Sequence, residues 1–138
     1  MFFSPFGKLN EKSNFQKTLL KNFKTINKKK KVEGGFIEYQ FKFAFRSSNL
    51  HIEFDNDLEA STHSYIVGGE IRDREIGFVN NVHIGMDVDD FCRIFFSFFP
   101  EEILERFKVI IFESCVTDIV HIYTFENKKL ISVKFVKQ

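Results

Sequence analysis

At 138 residues the chain suits one domain (1–138), long enough to bury a hydrophobic core without disulfides or structural metals. Phe supplies 20 residues and Trp none within an ordinary 43 % hydrophobic content, so the aromatic excess points first to a bulky core. Charge interrupts every apolar run well before the roughly 20 residues of a membrane span. The opening Met1–Gly7 stretch, broken by Pro5 and Gly7, lacks the form of a signal peptide. The expected location is cytoplasmic, or periplasmic if a leader has been removed.

The near-neutral total of +1 hides a polarised chain: residues 1–31 hold nine lysines against one acid, Glu11, a net +8, while the remainder holds 11 basic and 18 acidic residues, a net −7. Such asymmetry suits a charged partner, or mutual attraction of the two segments. Cys92 and Cys115 are far apart and make no metal spacing, so both read as buried small hydrophobes.

In chain order, Phe15, Leu19, Phe23 and Ile26 fall at spacings of four, four and three, which predicts a basic amphipathic helix over about 10–31, capped at Asn10 or Ser13 and ended by Gly34-Gly35. Lysines fill its other face. Ile37, Tyr39, Phe41, Phe43 and Phe45 alternate with mostly polar residues and predict a strand over 36–46. Ser47-Ser48-Asn49 turns the chain into a second strand at Leu50, Ile52 and Phe54. Residues 64–73 and 75–79 read as a further pair, with Gly68-Gly69 marking a bulge or a close approach of backbones. The predicted sheet therefore spans about 36–79.

Gly85-Met86-Asp87 announces a turn and a helix over about 87–99, with Asp87 as N-cap and Asp90 as the reciprocal half of a capping box. Phe91, Ile94, Phe95 and Phe98 make one apolar face, while Cys92, Phe96 and Phe99 make a second. A helix apolar on nearly every side needs cover on nearly every side. The stripe from Phe15 to Ile26 is the expected cover, and a partner chain the alternative. Pro100-Glu101-Glu102 predicts a short helix to about Phe107. Strands over 109–115, 118–126 and 130–137 complete the chain as a meander, with Asn127-Lys128 at the tip of the last hairpin. The expected fold is α+β: an antiparallel sheet with helices packed on one face, in the order α-β4-α-β3.

Ile84-Gly85-Met86-Asp87 opening a helix, followed by the hairpin at Phe125-Glu126-Asn127-Lys128-Lys129-Leu130, resembles the module shared by β-lactamase-inhibitor proteins and the small lipoproteins of the outer-membrane barrel-assembly machinery. The likeness covers about 82–137. It implies helices on one face of an antiparallel sheet and a role in protein binding rather than catalysis. The chain carries Phe98-Phe99-Pro100-Glu101 where that family has Leu-Gly-x-Pro, and no lipid-attachment cysteine near residue 1.

No nucleophile elbow, P-loop, dinucleotide fingerprint or zinc-spaced Cys/His cluster is present in the sequence. Asp87, Asp89 and Asp90 read as helix-terminal acids rather than metal ligands, and Asp55-Asn56-Asp57 as a turn. His51, His63, His83 and His121 are scattered, although His51 and His121 would converge if their strands paired. The expectation is a non-enzymatic protein-binding or inhibitor domain of the immunity-protein type, with no cofactor or metal. Exposed Glu53, Asp55, Asp57, Glu59, Glu70, Asp73 and Glu75 would steer it to a basic protein partner. The alternatives are a phenylalanine-lined ligand cup, or a membrane-surface or polyanion contact through Lys28, Lys29, Lys30 and Lys31, with nucleic acid not expected because no aromatics interleave those lysines in a strand-like way. Oligomeric state is open at this level.

Overall fold

A computed structural model describes residues 24–33, 36–56, 63–96, 106, 108–113 and 118–138. The alternation of Phe41, Phe43 and Phe45 with Lys42 and Ala44 does what period two requires: Phe43 is buried and Lys42 exposed. This strand, β2 (Phe36–Phe45), lies between β1 (Lys24–Glu33) and β3 (Ser48–Asn56), and β4 (His63–Ile71) follows beside β3. The chain then crosses over, forms a helix, α1 (Val88–Phe95), and returns as β5 (Val109–Glu113), β6 (Ile119–Glu126) and β7 (Lys129–Lys137). The sheet order is β1-β2-β3-β4-β7-β6-β5, with every neighbouring pair antiparallel. Two meanders thus meet at one seam, where β4 and β7 pair from Gly68 opposite Val136 to Ile71 opposite Val133.

The α+β expectation is therefore corrected to a mostly β protein, one seven-stranded antiparallel sheet with a single eight-residue helix among the described residues. The decisive difference lies at the N-terminal side. Lys24–Glu33 is a strand in register with β2, Glu33 standing opposite Phe36, so the helix expected over 10–31 is replaced by strand from Lys24 onward; residues 10–23 lie outside the described part. The physical reason is tertiary pairing: a strand held by a neighbour's backbone hydrogen bonds overrides a helical stripe of four apolar residues. The sequence did carry the signal, since Gly34-Gly35 as the only residues between two long strands is the composition of a two-residue hairpin loop.

The strand expected over 75–79 is also corrected. The Ser48 hydroxyl donates to Asp73 Oδ2 at 2.5 Å and accepts from the Arg72 and Asp73 N–H groups at 2.9 and 3.1 Å. The Ser47 N–H reaches the same carboxylate oxygen at 3.0 Å. This clamp ties the β2–β3 turn to the end of β4, and the chain turns away there. Ile76 and Phe78 still alternate at period two, but they are buried in the crossover rather than paired in the sheet.

Ile76, Phe78, Val82, Ile84 and Met86 of the crossover join Val88, Phe91 and Cys92 of α1 in one buried cluster with Leu50, Ile71, Tyr123, Leu130, Val133 and Phe135 of the sheet. The Phe91 ring is fully buried and lies 4.9 Å from that of Tyr123 and 5.2 Å from that of Phe125, so the layer between α1 and β6 is filled by rings in contact rather than opened as a cup. Complete burial of such a ring is worth about 1.5–3 kcal/mol. Both expected apolar sides of the helix meet the sheet in part: Phe112 of β5 stacks on Phe96, just past the end of α1, at 5.8 Å and meets Phe95 at 5.4 Å, Cys92 is buried in the core, and Ile94 is exposed. Ile26, the last residue of the expected cover, instead belongs to β1 at the opposite end of the sheet order; Phe15, Leu19, Phe23, Phe98 and Phe99 lie outside the described residues.

The start of α1 is held by the β6–β7 hairpin. Gly85 N–H donates to the Leu130 carbonyl at 2.7 Å, Leu130 N–H to Met86 at 2.9 Å, and Val88 N–H to Lys128 at 2.9 Å. Asp87 occupies the N-cap position, yet its side chain makes no capping hydrogen bond; its carboxylate pairs with Lys129 at 2.7 Å. The capping box is thus not formed: the Asp87 carboxylate is engaged by Lys129 and not by the Asp89 or Asp90 N–H that an N-cap side chain would satisfy. Asp90 pairs loosely with Arg93 at 3.6 Å.

Candidate functional site

The acids expected to form an exposed steering surface do not stand as one free patch. Asp73 is buried and held in the Ser48 clamp, which corrects its expected exposure. Glu75 is exposed but pairs with Arg46. Glu70, half-buried, pairs with Arg72 at 2.9 Å, and half-buried Glu53 takes a long 3.4 Å hydrogen bond from Gln40. Asp55 lies in β3 in register with Glu38 and His63. Asp57 and Glu59 lie outside the described residues.

Lys28, Lys29, Lys30 and Lys31 fall on β1, the terminal strand of the sheet, opposite Phe41, Gln40, Tyr39 and Glu38 in turn. They are strand residues at a sheet edge rather than one face of a helix. Edge lysines also serve a plain structural purpose, since like charge on an exposed edge resists pairing with another copy.

The titratable groups of the interior are tuned for packing. His51 on β3 and His121 on β6 are separated by both β4 and β7, so the two do not converge. Burial, and then the Lys42 ammonium, lowers the His51 pKa; burial alone takes His121 down to about 4, its ring set edge-on to Phe135 at 5.0 Å. Burial raises the Tyr123 phenol above its ordinary value. Burial, helped by the Asp89 carboxylate, pushes the Cys92 thiol up to about 11, so the nucleophilic thiolate is scarce at neutral pH. Among the described residues no group of three or more His, Cys, Asp or Glu is arranged to hold a metal ion.

What breaks the pattern of an apolar inside and a polar outside is β5. Val109 is 46 % and Ile111 54 % exposed. Both lie on the sheet face away from Ile110, which is buried, and Phe112. Ile111 stands opposite half-buried Ile122, and Val109 opposite Thr124. The same face carries Lys134 opposite Ile122 and Glu70 opposite Lys134, so an apolar strip on the terminal strand runs into a charged row. Reading the sequence as a regular strand missed this exposure. The signal was the unbroken Val109-Ile110-Ile111-Phe112 run, which makes both faces of the strand apolar while only one is covered.

Comparison with family models, with curated proteins and with solved structures finds no match.

Proposed function

We propose that this chain is a non-catalytic protein-binding domain that meets its partner with the sheet face at β5 and β6. The observation that carries this reading is the exposure of Val109 and Ile111 side by side on a terminal strand. Exposed aliphatic residues next to a charged row form the usual anatomy of a protein contact, an apolar centre with a polar rim. The packing of Cys92, Tyr123 and His121 into the core supports a binding rather than a catalytic role.

A photo-crosslinking residue placed at Ile111, with a control at exposed Asn49 on the same face, tests the reading in the native cell. The expected result is one discrete adduct from position 111 that is absent from position 49 and lost when Val109→Lys is added. Equal adducts from both positions, or none from 111, would overturn it.

A further inference from the structure

We propose that the outer edge of β1 accepts an extended acidic peptide of a partner protein as an added antiparallel strand. This goes beyond the contact at β5 and rests on different residues at the other end of the sheet.

β1 is ten residues long and terminal in the sheet order, and among the described residues no strand lies on its outer side. A strand in that position directs the N–H and C=O of alternate residues outward, a ready template for another strand. Its charge selects which strand. β1 carries five lysines and one acid, Glu33, a net +4, while β2 carries Glu38 and Lys42 and is neutral. In the register Lys28, Lys29 and Lys30 stand opposite Phe41, Gln40 and Tyr39, and Lys31 stands opposite Glu38.

This distribution separates the candidate partners. A second copy would set lysine against lysine across the new ladder, which like-charge pairs make unfavourable. A nucleic-acid backbone or an anionic membrane reaches one face of a sheet edge, whereas consecutive residues of a strand serve the two faces in turn. Four consecutive lysines are therefore divided between the faces. An added strand divides its own side chains in the same way, so a run of acids on it meets the lysines on both faces while its backbone completes the ladder. Main-chain pairing then supplies affinity and the opposed charges supply selection.

The test uses the full chain and a fluorescent peptide of sequence TVEEEEVT. Anisotropy should show saturable binding that weakens with added salt and falls at least tenfold for K28Q/K29Q/K30Q/K31Q. Two N-methylated versions of the peptide, blocked at odd or at even amides, keep the same charge; one should lose binding at least tenfold and the other should bind nearly as the parent does, because only alternate amides face β1. This comparison holds on the unmutated protein even if the lysine variant fails to fold. Equal binding of both methylated peptides would reduce the contact to bulk charge and overturn the proposal. So would an absence of peptide binding, or equal or tighter binding of oligo(dT) or of phosphatidylserine vesicles.

Discussion

Replacing Gly69 by alanine should break the sheet where β3 meets β4, and the packing around this residue sets the size of the effect. A Cβ on Gly69 would stand 2.4 Å from the Asn49 carbonyl oxygen and 2.8 Å from Leu50 Cα, and the residue sits at φ +124°. Both atoms are backbone, so no side chain can swing away. Holding a non-glycine residue in so sparsely populated a conformation costs of order 1–3 kcal/mol. Pressing a methyl into an already filled site adds roughly another 1–3 kcal/mol. The expected loss is about 3–4 kcal/mol, a large share of the 5–15 kcal/mol that stabilises a typical domain. With a urea slope of about 1.5 kcal/mol per molar, the unfolding midpoint should fall by about 2 M. Gly68 is the matched control. A Cβ there finds its nearest neighbour, the Phe135 carbonyl oxygen, at 4.0 Å, and its φ is negative or extended, so Gly68→Ala should stay within about 0.5 kcal/mol of the parent. Urea unfolding followed by circular dichroism compares the two directly. A Gly69→Ala midpoint within error of the parent, or equal losses at both glycines, would refute the reasoning.

Two further outcomes follow from groups elsewhere in the sheet. Asn127 and Lys128 have φ of 51° and 63° and form the two-residue turn between Glu126 and Lys129; both central residues of such a turn need positive φ, which asparagine tolerates and lysine resists. Lys128→Gly should raise stability by about 0.5–1 kcal/mol, the relief of strain exceeding the entropy glycine adds to the unfolded chain, and a lower melting temperature would contradict it. His121 is held near 4 when folded against 6.5 when unfolded, so between those values the unfolded chain binds the extra proton. Its stability contribution is fully present above pH 6.5 and is lost as pH falls toward 4, approaching 3 kcal/mol at about 1.4 kcal/mol per pH unit. Stability curves for parent and His121→Phe should diverge over that interval, and parallel curves would mean that burial of this ring is not what makes the fold acid-sensitive.

How legible the fold was depended on whether a segment's own pattern or a distant partner decided its state. β2, β3 and β7 were readable because each carries a covered face that alternation reveals, β5 and β6 as apolar runs of strand length, and the close approach at Gly69 from the glycine pair. β1 was not readable from its own residues, because most of what makes it a strand is the neighbouring β2 backbone; the signal lay beside it, in Gly34-Gly35. Ile76 and Phe78 mimicked a strand because burial in a crossover can reproduce period two without a ladder. The acids were legible as charges only. Glu70 meets its neighbour Arg72, but the partners of Glu75 and Asp73 are far along the chain, Arg46 and Ser48, and no local pattern announces pairs of that separation. The exposed strip at Val109 and Ile111 depends on which face of β5 the helix covers, which the strand's own residues do not specify.

The seam between β4 and β7 sets the order in which the molecule can be finished. β4 emerges during synthesis with one neighbour, and the residues that will flank its other side, Val133 to Val136, follow about sixty positions later. Each meander can close through short loops, whereas the seam must close a long one, the slower kind of step. Until then the stretch from Gly68 to Ile71 is an open ladder on a growing chain. In refolding followed by pulsed hydrogen exchange, amides across this join should gain protection last, and a substitution such as Gly69→Ala would act at the moment when the chain has least to hold it together.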